Sequence, residues 1–337
     1  MSVKRVAILS LCGALVAQSV WAITIATVPI GSPGNADDPA TGSLYGGVPY
    51  NYRIGKYDVT VGQYTAFLNA VAATDTYTLY NPSMATDLNI AGISRSGVSG
   101  SYSYGVIGSA NHPITYVSWG DAARFANWLH NGQPTGLQNA STTETGAYPL
   151  NGANTQATLN AVSRNVGAKW FIPSESEWYK AAYYDPVAGQ YWNFATGTNT
   201  QPTSAPPGIT PNTANFYSFI TTGFAVTGST SYSSSQNYLT DVGAYTASAS
   251  PYGTHDQNGD VFQWNEALNN SLRVLRGGSW AYDAFALQSP ERSYGGFPGY
   301  VNGSVGFRVA TVPEPSTAVL AILACCAIWL WRKHFNA

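Results

Sequence analysis

The stretch Arg273-Val-Leu-Arg-Gly-Gly-Ser-Trp280, with its echo Val305-Gly-Phe-Arg-Val-Ala310, decides how this chain folds. Leu272 to Leu275 is a β-rich run that leads through Arg276 into two glycines. Paired glycines accept positive φ and close backbone approach, which predicts a sharp turn at Gly277-Gly278. Trp280 adds a large apolar body and one N–H that needs an acceptor when buried. The later Gly-Phe-Arg-Val pattern alternates as a half-buried strand does. Arg276 and Arg308 stand near the ends of apolar strands, so each requires carbonyl or carboxylate partners if buried. Both read first as structural arginines.

Working outward, the 337 residues are enough for one or two domains with a sizeable core. A formal net charge of -2 with only 9% charged residues excludes a basic footprint, so no nucleic-acid partner is expected. Gly (34), Tyr (23) and Trp (10) favour a loop-rich fold with aromatic packing over a helical bundle. The three cysteines are Cys12, Cys325 and Cys326, all in terminal apolar segments, so the interior has no thiol.

Both ends read as addresses. Residues 1–22 carry Lys4 and Arg5, an apolar run from Val6 to Val16, and Val20-Trp-Ala22 as a cleavage pattern. This is a signal peptide for export through the Sec pathway. Residues 317–331 are apolar, short for a full transmembrane span, and followed by Arg332-Lys333, which places the extreme C-terminus on the cytoplasmic side. Val312-Pro-Glu-Pro-Ser316 stands immediately before that run.

Between the ends, residues 23–49 read as an N-terminal arm and Tyr50 to Val59 as a strand. Thr60 can cap a helix whose apolar face is Tyr64, Phe67, Leu68 and Val71. Leu79 to Asn111 reads as a loop and Pro113-Ile-Thr-Tyr-Val117 as a short strand. Ser118 with Asp121 opens a second helix, buried through Ala122, Phe125, Ala126 and Leu129 and ended by Gly132. Gln133 to Ala168 is a polar insertion, Lys169-Trp-Phe-Ile172 a strand, and Ser174 with Glu177 the capping box of a third helix. Short separate helices with late strands make an α+β fold in one domain with long irregular loops.

Five segments in this order resemble the formylglycine-generating enzyme, or sulfatase-modifying factor, family. They are Tyr57-Asp-Val-Thr-Val-Gly-Gln-Tyr64, Pro113-Ile-Thr-Tyr-Val-Ser-Trp119, Phe171-Ile-Pro-Ser-Glu-Ser-Glu-Trp178, Asp256-Gln-Asn-Gly-Asp-Val-Phe-Gln-Trp264, and the opening pair. The resemblance covers residues 50–311 and implies a variant of the C-type lectin fold, with small antiparallel sheets. The tail at 312–337 resembles a PEP-CTERM sorting signal. That resemblance implies an exosortase partner, transient anchoring in the inner membrane, and delivery to the outer surface or extracellular matrix of a Gram-negative bacterium.

The resemblance also implies where chemistry would lie. Catalytic members hold copper on two cysteines, and those positions fall on Ala284 and Ser289. Neither side chain can ligate Cu(I), which needs soft thiolates, so no copper is expected. The iron-dependent branch uses three histidines, whereas His112, His130 and His255 stand singly. Calcium is the expected structural cofactor. By resemblance it would take Asp256, the carbonyls of Gly259 and Val261, and Gln263 in place of an acid, with a second site at Asn215 and the Phe216 carbonyl. The alternative is a turn whose polar side chains bond their own backbone. Glu175, Glu177 and Glu266 raise a paired-carboxylate reading, but capping and the helix dipole account for the first two. The expected function is a non-catalytic ligand-binding or structural module at the cell surface or in the exopolysaccharide matrix. Its ligand, an envelope polysaccharide or protein, would lie near Trp280, Tyr282, Arg292 and Tyr294. The rival is an oxidoreductase or hydrolase with a site outside these motifs.

Overall fold

The computed structural model describes residues 22–292 and 295–312. Nearly all of the expected signal peptide, the Pro-Glu-Pro tail with its apolar run, and Tyr294 lie outside these residues. Among the described residues no helix is long and apolar enough to cross a membrane.

Three helices form where cap chemistry predicts them. Helix α1 (Val61–Val71) starts at Thr60, whose hydroxyl accepts from the Gln63 amide while the Gln63 side chain accepts from the Thr60 N–H. Tyr64, Phe67, Leu68 and Val71 form its buried face. The four-residue helix α2 (Ser83–Thr86) follows, then α3 (Trp119–His130), boxed by Ser118 and Asp121. Helix α4 (Gln156–Asn160) sits in the polar insertion, and α5 (Glu175–Tyr183) is boxed by Ser174 and Glu177. Each box satisfies two amides that a helix start would otherwise leave orphaned.

Two four-stranded sheets, beside four two-stranded ones among the described residues, carry the rest. The first runs in the order Thr27–Ile30, Tyr52–Gly55, Ala310–Thr311, Trp170–Phe171, with all pairs antiparallel. The second runs Gly295–Gly296, Leu272–Arg276, Phe262–Asn269, Val305–Gly306, and its last pair is parallel. The Gly-Phe-Arg echo is therefore not one strand. Val305–Gly306 ends one sheet, Ala310–Thr311 lies inside the other, and Phe307, Arg308 and Val309 cross between them fully buried. Gly306 is obligatory there, because a Cβ would lie 2.5 Å from the Ile114 carbonyl. Phe307 anchors the crossing against Phe125, which also packs on Phe67 and Trp128. These rings form the centre of the main core.

Other segments depart from the sequence reading. The arm contributes the strand Thr27–Ile30, so it belongs to the sheet. The expected loop from Leu79 to Asn111 contains an antiparallel hairpin, Ile93–Ser96 with Ser103–Val106. Pro113 to Val117 forms no strand beyond a bridge from Pro113 to Thr60, since Tyr116 has φ 56° and its amide turns to the Asn302 carbonyl. Tyr50 to Val59 pairs only over Tyr52–Gly55, after which the Val59 amide reaches the Phe307 carbonyl.

Candidate functional site

The two glycines after Arg276 turn as expected, with φ of 99° at Gly277 and 72° at Gly278. The turn delivers Trp280 into a buried aromatic cluster. Its ring stacks on Tyr238 at 4.9 Å and 4°, and its indole N–H donates to the Gly303 carbonyl at 3.2 Å. At 8% exposure Trp280 is a core residue and offers no free face to a ligand. Tyr282, 39% exposed, packs edge-on against Phe262 and keeps part of its ring in solvent.

Arg292 belongs to a charge cluster behind this turn. Glu175, in the first turn of α5, accepts from Arg276 through Nε at 3.0 Å and Nη2 at 2.7 Å. The same carboxylate takes a fork from Arg292, with Nε at 2.8 Å and Nη2 at 2.8 Å. Arg276 also donates to the carbonyls of Ser289 and Glu291, and its guanidinium lies over Tyr45 and Tyr179. Arg292 is therefore held by Glu175, and the predicted ligand contacts Trp280 and Arg292 lie in different clusters.

The positions implied for the family's cysteines are placed differently again. Ser289 is 3% exposed, with its amide on the Asn193 carbonyl. Ala284 opens a 3-10 turn, Ala284–Leu287, and packs with Phe194, Ala214, Phe216 and Leu287. Beside it lies a cleft of about 220 Å³ whose walls include Tyr217, Phe219, Ile220, Ala284, Phe285 and Gln288. The Tyr217 amide donates to the Tyr282 carbonyl at 2.9 Å, which ties the two walls together. Phe219 is 73% exposed, Ile220 91% and Phe285 54%, so the rim is an apolar surface in water. Sequence reasoning missed these three. The signal was Tyr217-Ser-Phe-Ile220, an apolar island inside a Ser/Thr/Gly-rich run.

The two expected calcium segments meet in one polar knot. Asn215 bridges to Gly259, the Asp260 amide donates to the Asn215 carbonyl, and the Asn215 side chain donates to Asp260 at 2.9 Å. Several of the knot's oxygens are taken by protein donors. Gln263 Oε1 accepts from Trp178 Nε1 at 2.7 Å and Arg308 Nε at 2.6 Å, and its amide nitrogen donates to the Asp256 carbonyl. The Phe216 carbonyl accepts from the Ser204 hydroxyl at 2.6 Å, and Asp256 accepts from the Gly243 amide. A Gln263 oxygen with two donors has no lone pair left for a cation, so Gln263 does not fit the calcium-ligand role expected of it. The positive charge among these acids is Arg308, fully buried and bound to Gln263, the carbonyls of Gly55 and His255, and Asp58 at 3.5 Å. Burial pushes Asp58 up to about 8 and Asp256 up to about 6, although Arg308 opposes both. His112, His130 and His255 do not converge, and no group of three His, Cys, Asp or Glu suited to a metal occurs among the described residues.

Known proteins match this architecture. The family model for the sulfatase-modifying factor enzyme 1-like domain matches residues 47–312. A hercynine oxygenase of Mycolicibacterium smegmatis is 30% identical over 147 residues, covering 36% of this chain and 29% of that protein. The hercynine oxygenase of Mycobacterium tuberculosis is 26% identical over 143 residues. The chain thus spans under a third of these curated relatives. Among solved structures, Treponema denticola variable protein 1 superposes with a TM-score of 0.51 at 18% identity, covering 88% of this chain and 98% of that one. CarF superposes with a TM-score of 0.53 at 18% identity, covering 86% and 99%. These two share the fold. With its helices, sheets and glycine turn matched in one continuous unit, the chain belongs to the family of sulfatase-modifying factor enzyme 1-like domains.

Proposed function

We propose that this chain is a non-catalytic recognition module that binds an extended polypeptide segment in the cleft beside Ala284. One observation carries the reading. Where the family resemblance puts a thiol pair, this chain has Ala284 and Ser289, yet an open cleft with an apolar rim remains at Ala284. An exposed apolar patch around a concave site marks a binding surface more often than chance exposure does. Phenylalanine and isoleucine at the rim suit apolar side chains of a peptide, and Asp283 and Gln288 offer polar contacts to its backbone. Export, exosortase processing and residence at the envelope surface are the proposed setting, supported by the two terminal sequence patterns.

The similarity to hercynine oxygenases supports a second reading, an oxidoreductase. Against it stands the scatter of His112, His130 and His255 and the lack of a thiol between Cys12 and Cys325. The first reading is tested by selection from a displayed random-peptide library on the purified chain. Enriched peptides should carry an apolar side chain and should be lost on Phe285→Asp. Enrichment that survives Phe285→Asp and Phe219→Ser would overturn it.

A further inference from the structure

A second cavity, of about 260 Å³, lies against the Phe262–Asn269 and Leu272–Arg276 strands of the second sheet, away from the residues that line the Ala284 cleft. The ladder between Phe262–Asn269 and Leu272–Arg276 shifts register between Trp264 and Leu268. The irregularity turns Glu266 out of regular pairing, and its amide bonds the Pro173 carbonyl instead. Trp119, Tyr148, Arg164, Glu266 and Arg273 supply the polar wall, while Val162 and Leu268 are apolar.

This wall gathers unsatisfied groups. Trp119 Nε1, Arg273 Nε and Asn160 Oδ1 are buried without a protein partner, and all three residues line the cavity. Trp119 is 0% exposed and Arg273 3%. Each orphan of this kind costs on the order of 1–3 kcal/mol unless a water or ligand meets it. The Arg273 guanidinium lies 3.7 Å from the Trp119 ring centroid, so both unpaired donors belong to one stacked pair. The other Arg273 nitrogens are spent on the carbonyls of Glu266, Leu159 and Val162.

Two unpaired N–H donors in one stacked pair, one of them on a guanidinium, call for an anionic acceptor such as a carboxylate. The acceptors across the cavity call for hydroxyls: Asn160 Oδ1 is free of donors, and the Glu266 carboxyl takes one bond from Tyr148 at 2.6 Å and one contact from Arg164 at 3.2 Å. An ammonium fits less well, because two guanidinium groups already face the cavity. Arg164 is shared between Glu177 and Glu266, so the local charges of two arginines and two carboxylates balance only while Glu266 is ionised. The volume is slightly below that of a drug-sized site and suits a single ring. We propose that this cavity binds one hexuronic acid residue, with its carboxylate on Trp119 Nε1 and Arg273 Nε, its hydroxyls on Asn160 and Glu266, and its C–H face on Val162 and Leu268. Burial raises Glu266 to about 7 against the pull of Arg164, so below neutrality the cavity carries a net positive charge that an incoming carboxylate offsets. The proposal is independent of the peptide reading of the Ala284 cleft.

The test is calorimetric titration of the full chain with D-glucuronate, D-galacturonate, D-glucose and acetate at pH 6 and pH 8. Either uronate is expected to bind at least tenfold more tightly than glucose or acetate, and more tightly at pH 6. Trp119→Phe, which keeps the ring and removes the N–H, should weaken binding several-fold. Leu268→Trp, at a residue 40% exposed on the rim, should block the cavity while leaving the thermal transition unchanged. Equal affinity for glucose or acetate, uronate binding that survives Leu268→Trp, or no heat with any probe would each overturn the assignment, the last leaving a solvent-filled cavity.

Discussion

Glu175 Oε1 receives both Nε and Nη2 of Arg276 across 101 residues of sequence, at 3.0 and 2.7 Å, and so pins the start of α5 to the end of the strand Leu272–Arg276. The pair is buried, and Arg276 also holds the Ser289 and Glu291 carbonyls. The segment carrying Ala284 and Ser289 therefore takes its position from α5. Arg292 adds a second cation on the same carboxylate, with 29% of its side chain exposed.

Glu175→Gln leaves two guanidinium groups sharing a neutral amide, and should destabilise the protein by about 3 kcal/mol, the scale for breaking one side of a buried pair. Arg292→Ala removes only the outer partner and should cost about 1 kcal/mol. Urea unfolding of the two variants checks the ratio. Equal losses would mean that Arg276 does not depend on Glu175.

Stability should fall as pH rises from 6.5 to 7.5. Burial raises Asp58 to about 8 and Glu266 to about 7, so the folded chain holds protons that the unfolded chain has released. A raised carboxyl contributes its full stability below its unfolded value, and that contribution is lost as pH climbs through the folded value. Burial lowers the three histidines His112, His130 and His255, which opposes this trend in part, most at the acid end of the window where the unfolded imidazoles are still half protonated. The expected loss is about 1–2 kcal/mol across that unit of pH, shallower in Glu266→Gln. Urea midpoints at the two pH values are the check, and a rise with pH would contradict the assignment.

Gly259 has φ 84°, and a Cβ there would lie 2.2 Å from the Asn215 carbonyl. Gly259→Ala should break the bridge between the two loops of the polar knot and cost more than about 3 kcal/mol, combining backbone strain with overpacking. A melting temperature within 2 °C of the parent, roughly 1 kcal/mol for a domain of this size, would show that the knot has slack.

Much of the frame was legible because its determinants are local. Thr60, Ser118 with Asp121, and Ser174 with Glu177 specify helix starts within four residues, and Gly277-Gly278 specifies a turn in place. What was not legible depends on partners far along the chain. Thr27–Ile30 is a strand because Tyr52–Gly55 lies beside it, and Val305 to Thr311 splits because two different sheets claim its ends. The calcium reading failed to foresee that Arg308, 45 residues from Gln263, would donate to its amide oxygen. The Ala284 cleft depended on a contact between residues 217 and 282 that no periodicity announces.

Gln263→Glu should not recover a calcium site. The amide nitrogen now donates to the Asp256 carbonyl, and a carboxylate there would set acceptor against acceptor beside Asp58. We expect a loss of about 2–3 kcal/mol from an unpaired buried group, unrelieved by millimolar calcium. The parent should likewise melt at the same temperature with calcium and with chelator. A calcium-dependent rise in either protein would restore the cation to this knot.

The central claim, that the cleft beside Ala284 is a recognition site, is tested most directly by the affinity of one library-selected peptide for three proteins: the parent, Phe285→Ser and Arg53→Ala, the last on an inner strand of the first sheet. The account predicts that Phe285→Ser weakens binding at least tenfold, about 1.4 kcal/mol, while Arg53→Ala leaves it unchanged. Equal binding by all three proteins would contradict it and place recognition elsewhere on the domain.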